Sequence, residues 1–412
     1  MEVTEVQYKE SEIGVIPVDW EVKQLSTIGK FTKGQGIRKD EATNGEIPCV
    51  RYGELYTRHN DYIKEYFSFI SNETAKSARR LRPGDILFAG SGETKEEIGK
   101  CAAFVDNIEA YAGGDIVILS PIDVSPLFLG YLLNAQHIQK QKASKGQGDA
   151  IVHISANQLG SIQIPLPPTK SEQTAIATAL SDTDALIENL EKLIAKKRNI
   201  KQGVMQELLT GRKRLEGFDG NWELRKLGDL AEMYSGGTPP TTNDSFYNGD
   251  IPWVVIADMT KSGKYIYKTD KTITETGLQN SSAKLFKKGV ILFAMYASIG
   301  KCTIAQMDTA CNQAILGIST KLIDTEFLYY YLVYNESKFI LMGQTGTQSN
   351  LNKEIVQELR IPLPQRNEQI EIAGILSNID NEIDVLEQKL RKSQMIKQGM
   401  MQALLTGKIR LV

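Results

Sequence analysis

The sequence predicts an α+β protein built from two similar small α/β domains and two long α-helices, and three observations lead to this fold class. A segment near the middle of the chain returns about 196 residues later, and a self-match of that length indicates an internal duplication. Apolar residues recur every three or four positions in both copies, as in a helix with one apolar seam. Short β-like runs alternate with glycine-rich turns before each copy, which is typical of a small α+β domain.

Four segments follow from this pattern. They are a first domain at 1–165, a first long helix at 166–215, a second domain at 216–362 and a second long helix at 363–412. The domains match in step, with Trp20 aligned to Trp222 and the tetrapeptide Ile98–Cys101 repeated at Ile299–Cys302. Their loops differ, so the sequence predicts two copies of one fold that carry different surfaces.

Each long helix is predicted to span about 38 residues, or about 57 Å, and to stop at a Thr-Gly pair, Thr210-Gly211 or Thr406-Gly407. The predicted seams contain Ile176, Leu180, Thr183, Ile187, Leu190, Ile194, Ile200, Val204 and Leu208, and then Ile372, Leu376, Ile379, Ile383, Leu386, Leu390, Ile396, Met400 and Leu404. A long helix with a narrow seam is unstable alone in water, so we expect the copies to pair as an antiparallel coiled coil with pseudo-two-fold symmetry. The alternative is that each helix packs only on its neighbouring domain.

The composition is that of an ordinary soluble chain: 412 residues, 41% hydrophobic, 24% charged and a net charge of -2. The sequence contains neither a secretion leader nor an apolar run of membrane-spanning length, so we expect a cytoplasmic protein. The four cysteines lack the spacing of a metal site and are expected to be buried thiols. A basic run from Lys192 to Arg214 either attracts phosphate or complements the dipole of the helix end.

The order domain, helix, domain, helix, together with the "KQGxMQxLLTG" ending of both helices, resembles the specificity subunit of type I restriction-modification systems. The resemblance covers essentially the whole chain. It implies that the two domains are target-recognition domains, each reading one half of an interrupted site in double-stranded DNA. The helices would set the spacing between the half-sites and dock two methylation subunits. Two restriction or motor subunits would complete the complex. The chain itself would be non-catalytic, and S-adenosylmethionine, ATP and magnesium would bind to the partner subunits.

Candidate DNA-binding residues lie in the polar, glycine-rich loops, because Gln and Asn can bind adenine through two hydrogen bonds, Lys favours guanine, and Ser or Thr read either. For each of them, stabilisation of a turn is the alternative role. The candidates are Lys33, Gln35, Ser91, Lys95, Lys145 and Gln147 in the first domain, and Ser235, Thr238, Tyr296, Ser298, Gln344, Thr347, Gln348 and Asn350 in the second.

Two matching glycines, Gly203 and Gly399, lie inside the predicted helices, where glycine costs about 1 kcal/mol relative to alanine. We expect another helix to approach closely at these positions. That helix would be either the paired copy or part of a methylation subunit.

Two other classes of function compete with this interpretation. Asp85, Glu93 and Lys95 approximate the pattern of a metal-dependent DNA endonuclease, but Val290 replaces the first acid in the second domain, which disfavours it. A coiled-coil protein scaffold without DNA specificity is the other class, and it leaves the diverged loops unexplained. A methyltransferase is disfavoured because the sequence lacks an Asn- or Asp-Pro-Pro-aromatic motif.

Overall fold

The chain folds into two compact units in a computed structural model that describes residues 7–43, 45–148, 150–344 and 351–411. The first unit comprises Met1–Glu191 and Lys389–Val412, and the second comprises Lys192–Gln388. Each unit contains one α/β domain together with half of each long helix. Packing therefore divides the chain differently from the four predicted segments, whose boundaries stay a prediction.

The first domain begins with one β-hairpin and ends with a strand that leads into the first long helix. Its strands are β1 (Tyr8–Ser11), β2 (Gly14–Pro17), β3 (Glu21–Gln24), β4 (Gly29–Lys33), β5 (Ile47–Val50), β6 (Ser68–Ile70), β7 (Arg79–Arg80), β8 (Ile86–Ala89), β9 (Ser91–Gly92), β10 (Cys101–Ala103), β11 (Tyr111–Ala112), β12 (Ile116–Pro121), β13 (Val152–His153) and β14 (Gln163–Leu166). Its helices are α1 (Tyr52–Thr57), α2 (Asn72–Ala75), α3 (Pro126–Asn134), α4 (Gln136–Lys145) and α5 (Ala156–Gly160), and the long helix that follows is α6 (Lys170–Leu208).

The second domain repeats this order with fewer strands. They are β15 (Glu223–Lys226), β16 (Ala231–Ser235), β17 (Tyr247–Val254), β18 (Tyr265–Ile266), β19 (Thr272–Ile273), β20 (Ile291–Ala294), β21 (Cys302–Ala305), β22 (Ala310–Cys311), β23 (Ile315–Thr320) and β24 (Arg360–Leu363). Its helices are α7 (Leu227–Leu230), α8 (Ile256–Lys261), α9 (Glu275–Gln279), α10 (Thr325–Tyr334), α11 (Glu336–Gln344) and α12 (Lys353–Gln357), and the second long helix is α13 (Arg366–Leu404).

The two domains share one sheet topology. In the first, a four-stranded sheet has the order β10-β8-β12-β4, and in the second the corresponding order is β21-β20-β23-β16, extended by β18. A parallel pair follows in each, β5 with β11 and β17 with β22. The strand before each long helix pairs with a strand near the start of its domain, β14 with β3 and β24 with β15. The predicted duplication of one fold is confirmed at the level of strand pairing.

The core of each unit is closed by both long helices. In the first unit the start of α6, including Ile176 and Leu180, and the end of α13 at Leu404 join one apolar cluster with the domain's own strands and helices. In the second unit the roles are exchanged, because the start of α13 and the end of α6, at Leu208 and Leu209, pack into the domain core. The long helices are thus part of each folded unit and not mere connectors.

The long helices run antiparallel within each unit, as predicted. In the first unit Lys397 of α13 pairs with Asp184 of α6 at 2.7 Å. In the second unit Lys197 pairs with Glu382 at 2.5 Å, and the later Lys201 pairs with the earlier Asp380 at 2.5 Å. In the first unit Thr183, one residue before Asp184, contacts Met400, three residues after Lys397. In both units a later position on α6 therefore has an earlier partner on α13, so the helices are antiparallel.

Two predicted seam positions were wrong. Ile200 and Ile396 are exposed, at 43% and 47%, whereas Ile194 is buried. Six residues separate Ile200 from Ile194, and six residues turn a helix by about 240°, which carries the side chain off the seam. The helix ends agree with the prediction, since Gly211 and Gly407 follow them with φ of 70° and 72°, a conformation that favours glycine.

In each domain two consecutive helices are separated by a single residue. Ala135 has the extended ψ of 146°, so α3 ends there and α4 begins directly after it. Asn335 separates α10 from α11 in the second domain.

The cysteines are free and buried, as expected, and burial raises the pKa of the Cys49, Cys101 and Cys311 thiols to about 12. No helix among the described residues is long and apolar enough to cross a bilayer.

Candidate nucleic-acid interface

One pocket of the first unit collects three of the predicted DNA-binding residues, Lys33, Ser91 and Gln147. Its volume is about 730 Å³, and Thr32, Asp115, His153 and Gln158 also line it. We call it the histidine pocket. Backbone hydrogen bonds between Gln147 and His153, of 2.8 and 2.9 Å, fold the loop after α4 back toward β9. Three separate stretches of sequence thereby contribute polar side chains to one place.

Polar side chains of the histidine pocket are held in defined positions. The Ser91 hydroxyl lies 2.9 Å from Nδ1 of His153, and the Lys33 ammonium lies 4.0 Å from Asp115. Asp115 itself adopts a φ of 59°, which is uncommon outside glycine. The pocket therefore offers hydrogen-bond donors and acceptors to a bound ligand.

A larger groove lies beside this pocket and shares Thr32 with it. Its volume is about 1070 Å³, and it is lined by Lys30, Thr32, Gln35, Ala78, Arg79, Arg80, Leu81, Arg82, Pro83, Gly84, Asp85, Ser120, Pro121 and Ile122. We call it the arginine groove. Gln35, another predicted residue, lies here, where its side chain donates to the carbonyl of Ser77 at 3.2 Å.

Sequence reasoning missed the three arginines of this groove. They lie on β7 and in the turn before β8, outside the glycine-rich loops where candidates were sought. A signal was present, because Arg79, Arg80 and Arg82 fall within four consecutive positions. The other predicted residues of the first domain lie outside both cavities: Lys95 is exposed, and the backbone carbonyl of Lys145 accepts a hydrogen bond from Gln158 at 2.6 Å.

Asp85 is not placed as a metal ligand. Its carboxylate is buried and accepts from the backbone N–H of Arg82 at 2.9 Å and from the Ser120 hydroxyl at 2.6 Å. Glu93 and Lys95 are exposed. Within the described residues, no group of three or more His, Cys, Asp or Glu side chains is arranged to hold a metal ion.

The second unit arranges its predicted residues differently. Ser235 is exposed at the end of β16, and the Thr238 hydroxyl is hydrogen-bonded to Gln313. Tyr296 and Ser298 flank Ala297, whose φ of 59° marks a strained turn. Thr347, Gln348 and Asn350 lie outside the described residues, as does the side chain of Gln344 at the end of α11.

An exposed tyrosine ring on β16 was also missed. The ammonium of Lys284 lies 3.8 Å from the centroid of the Tyr234 ring, and that of Lys353 lies 5.5 Å from it. Tyr234 takes the place in its strand that Thr32 takes in β4, since both lie one residue before the strand end. The two units therefore present different chemistry at this shared position.

The basic run on α6 is used largely for helix pairing. Lys197, Arg198 and Lys201 form ion pairs with acids of α13 within the second unit. These three side chains could therefore bind phosphate only if their ion pairs with α13 were broken.

The predicted approach of the paired helix to Gly203 and Gly399 is wrong. A Cβ added at either glycine would meet no atom within 4 Å, and both residues are exposed. The exposed Ile200 and Ile396 lie three residues before them, on the same helix face. Each unit therefore leaves a small apolar patch of one long helix uncovered.

These features define a duplicated α/β module with paired long helices in each unit and two polar cavities in the first unit. The family model of the type I restriction modification DNA specificity domain matches residues 17–197 and 219–393, one match for each domain and much of the helix after it. The chain belongs to this family.

Relatives and solved structures agree with that membership. The chain is 29% identical to a protein of Methanocaldococcus jannaschii assigned as the MjaX type I restriction enzyme specificity subunit, over 98% of this chain and 97% of the relative. It is 27% identical to the MjaVIII specificity subunit of the same organism, over 98% and 96%. The crystal structure of the S subunit from M. genitalium covers 98% of this chain and 97% of its own, with a TM-score of 0.62 at 16% identity, so the fold is shared.

Proposed function

We propose that this chain is the DNA sequence-recognition subunit of a type I restriction-modification complex, in which each unit reads one half of an interrupted site. The carrying observation is that the family model matches twice, once per domain. The matched units repeat one sheet topology but differ in their polar surfaces, as at Thr32 and Tyr234. A kept scaffold with different surface side chains suits two readers of two different half-sites.

We assign the chemistry to partner subunits. Two methylation subunits and two restriction or motor subunits would join this chain, and S-adenosylmethionine, ATP and magnesium would bind to them. Family membership supports partners of these kinds, and the numbers of subunits rest on the resemblance alone. This chain would contribute recognition without being an enzyme.

The direct test is to map adenine methylation in DNA from cells that express this chain with its methylation subunit. We expect one interrupted motif with two defined halves. Exchanging the second domain, 216–362, for that of a relative should change one half and keep the other. A contiguous motif, or the absence of any methylated motif, would contradict the proposal.

The exposed patches around Gly203 and Gly399 support docking of the methylation subunits on the long helices. Gly203→Leu should weaken assembly even though it favours the helix, because a bulky side chain would stand where a partner approaches. Gly374→Leu is the matched control, since Gly374 is also an exposed glycine of a long helix with no atom within 4 Å of an added Cβ. Equal elution of both complexes in gel filtration would argue against docking at Gly203.

The long helices would also set the gap between the half-sites. An insertion that tests this must leave each unit's packing intact, and the end of α6 is unsuitable because Leu208 and Leu209 are buried in the second unit's core. Four residues are better added at two places, after Glu191 in α6 and after Gln388 in α13, where the chain passes from one unit to the other.

Four helical residues add about 6 Å, which corresponds to one or two base pairs at about 3.4 Å each. We therefore expect the methylated motif to keep both halves and to gain one or two base pairs of gap. An unchanged gap would show that the helices do not determine the spacing.

A further inference from the structure

We propose that the arginine groove of the first unit binds DNA phosphates and is the main salt-dependent anchor of the complex, whereas the matching place in the second unit is electrostatically neutralised. This inference rests on the proposed function and adds an asymmetry to it. Binding of the first unit to its half-site would depend more strongly on salt than binding of the second unit.

The cations of the groove are available to an anion. Lys30, Arg80 and Arg82 are exposed and Arg79 is half-buried. Within the described part of the chain, no Asp or Glu carboxylate lies within 4.0 Å of these four cationic groups. The one acid that lines the groove, Asp85, is buried and already bound by the Arg82 backbone and by Ser120. Four cationic residues without a carboxylate partner therefore line one groove.

The backbone that carries these cations is well fixed. Arg79 and Arg80 pair in register with Ala112 and Tyr111 of β11. Arg82 follows a buried leucine and precedes Gly84, whose φ of 98° makes the tight turn into β8. Arginine side chains on such a frame lose little further backbone freedom on binding, and their planar groups suit bidentate contact with phosphate.

The matching positions of the second unit carry a different charge. Gly84 corresponds to Gly289, because each precedes the central strand of its sheet with a φ near 95°. At equal distances before these two glycines, Arg79, Arg80 and Arg82 correspond to Lys284, Leu285 and Lys287. At the second position of β4 and of β16, Lys30 corresponds to Glu232. The four positions thus hold four cations in the first unit and a net single positive charge in the second.

The charges that remain in the second unit are already paired. Lys287 binds Asp308 at 2.8 Å, Glu232 binds Lys321 at 2.6 Å, and Lys284 lies over the Tyr234 ring. The Lys287 hydrogen bond lowers the pKa of Asp308, so that acid stays charged. Phosphate would have to displace these partners, and fewer counterions would be released for each contact.

The arginine groove lies next to the histidine pocket, where bound phosphates would position the DNA for base contacts. Thr32 lines both the arginine groove and the histidine pocket, so the two cavities adjoin. Phosphate contacts fix the register of a protein on the duplex, and base contacts specify the sequence. A backbone held in the arginine groove would bring neighbouring base edges toward Ser91, Gln147 and His153.

The test compares salt dependence in complexes of this chain with its methylation subunits, on a duplex that carries the mapped motif. Replacing Arg79, Arg80 and Arg82 together by Gln should reduce the slope of log affinity against log salt by about 2 to 3, at about 0.9 per phosphate contact. Arg82→Gln alone should reduce it by about 1, and the matched Lys287→Gln should leave it unchanged.

Three outcomes would overturn the inference. The salt slope could be unchanged in the triple variant, or Lys287→Gln could reduce it as much as Arg82→Gln does. The triple variant could also relax the first half of the methylated motif, which would show that the arginines read bases. Circular dichroism and assembly with the methylation subunits verify that the variants fold. If the unaltered complex showed no sequence preference, the proposed function itself would fail, and the wild-type measurement distinguishes that result from the three others.

Discussion

The two units use the same contacts to hold themselves together and different side chains on their surfaces. Arg410 follows α13 and binds Glu172 and Asp19 in the first unit, with its guanidinium 5.7 Å from the Trp20 ring. Arg214 follows α6 and binds Glu368 in the second unit, 5.5 Å from the Trp222 ring. The same Arg-Glu-Trp cluster therefore attaches the end of one helix to the start of the other in each unit.

A second shared contact centres on a buried tyrosine. Tyr131 donates to Asp184 at 2.7 Å, and the ammonium of Lys397 lies 5.5 Å from its ring. Tyr330 donates to Asp380 at 2.7 Å, with Lys201 5.5 Å from its ring. These interior contacts are nearly identical in the two units, whereas the arginine groove has no equivalent in the second unit. The side chains of the two units therefore differ mainly at surface positions that a ligand can contact.

The shared contacts differ in one respect, the charge placed next to the tyrosine. In the first unit Lys397 also contacts Asp61 at 3.3 Å, so one lysine serves two acids. Burial raises the pKa of Asp61, although Lys397 opposes the shift. In the second unit the place of Asp61 is taken by Lys264, since the carbonyls of both accept from the matching strands β10 and β21. Lys264 donates to Glu326 and to the Tyr330 hydroxyl.

The largest loss of stability is expected at the two tryptophans. Trp20 is fully buried, whereas Trp222 is half-buried and its indole N–H donates to Glu368 at 3.0 Å. Trp20→Ala should destabilise the first unit by about 4 kcal/mol and Trp222→Ala the second by about 2–3 kcal/mol, because the cavity is larger where burial is complete. Hydrogen exchange measured peptide by peptide reports each unit separately. Equal losses would show that the two clusters are energetically equivalent.

The next effect concerns the lysines beside the tyrosines. Lys397→Met should cost about 2–4 kcal/mol in the first unit, because it leaves two acids without their cation. Lys201→Met should cost about 1 kcal/mol in the second, since only Asp380 loses an ion pair and Lys264 stays beside Tyr330. The same exchange measurement tests this order, and a larger loss from Lys201→Met would contradict it.

A pH series sharpens this comparison. Burial alone would lower the pKa of Lys397, but Asp61 and Asp184 outweigh it and raise that pKa. In Lys397→Met the buried Asp61 loses its cation, so its raised pKa rises further. An acid with a raised pKa adds stability that is present at low pH and is lost as pH rises through that pKa. The deficit of Lys397→Met should therefore be smaller near pH 5 than near pH 8. An equal deficit at pH 5 and pH 8 would show that Asp61 stays charged in the variant.

The smallest effect is expected on the exposed faces of the long helices. Ile200→Ser should change stability by less than about 0.5 kcal/mol in the isolated chain, whereas Ile194→Ser, at a buried seam position, should cost about 2–4 kcal/mol. Chemical denaturation of the two variants compares them directly. A large loss from Ile200→Ser would mean that this residue packs within the chain after all.

Features set by periodicity and repetition could be predicted from the sequence. The long helices, their antiparallel pairing and the duplicated domains follow from apolar spacing and self-match, and both of these patterns are present in the sequence itself. The break at Ala135 could not be predicted, because alanine favours helix but adopts an extended ψ of 146° here. The prediction that Ile200 lies on the seam was wrong because the apolar pattern was continued across a gap of six residues.

The candidate site was partly predictable for a similar reason. Glycine-rich loops pointed to Lys33, Ser91 and Gln147, which the fold brings into one pocket. The arginines of β7 were missed because a two-residue strand has no periodicity, and their lack of acidic partners depends on residues distant in sequence. The charges of Lys197 and Lys201 were similarly open to two interpretations until their partners on α13 were placed.

The chain segments that make up each unit also determine the order in which the two units can fold during synthesis. The second unit is one continuous stretch, Lys192–Gln388, whereas the first needs Lys389–Val412 to complete a core in which Leu405 is fully buried. At about 5–20 residues per second, the ribosome takes roughly 10–40 s to make the intervening stretch. The domain that is translated first therefore waits, with the apolar face of its half of α6 uncovered, while the second unit becomes complete. A released and purified chain that ends at Gln388 should be protease-resistant in the second unit and sensitive in the first.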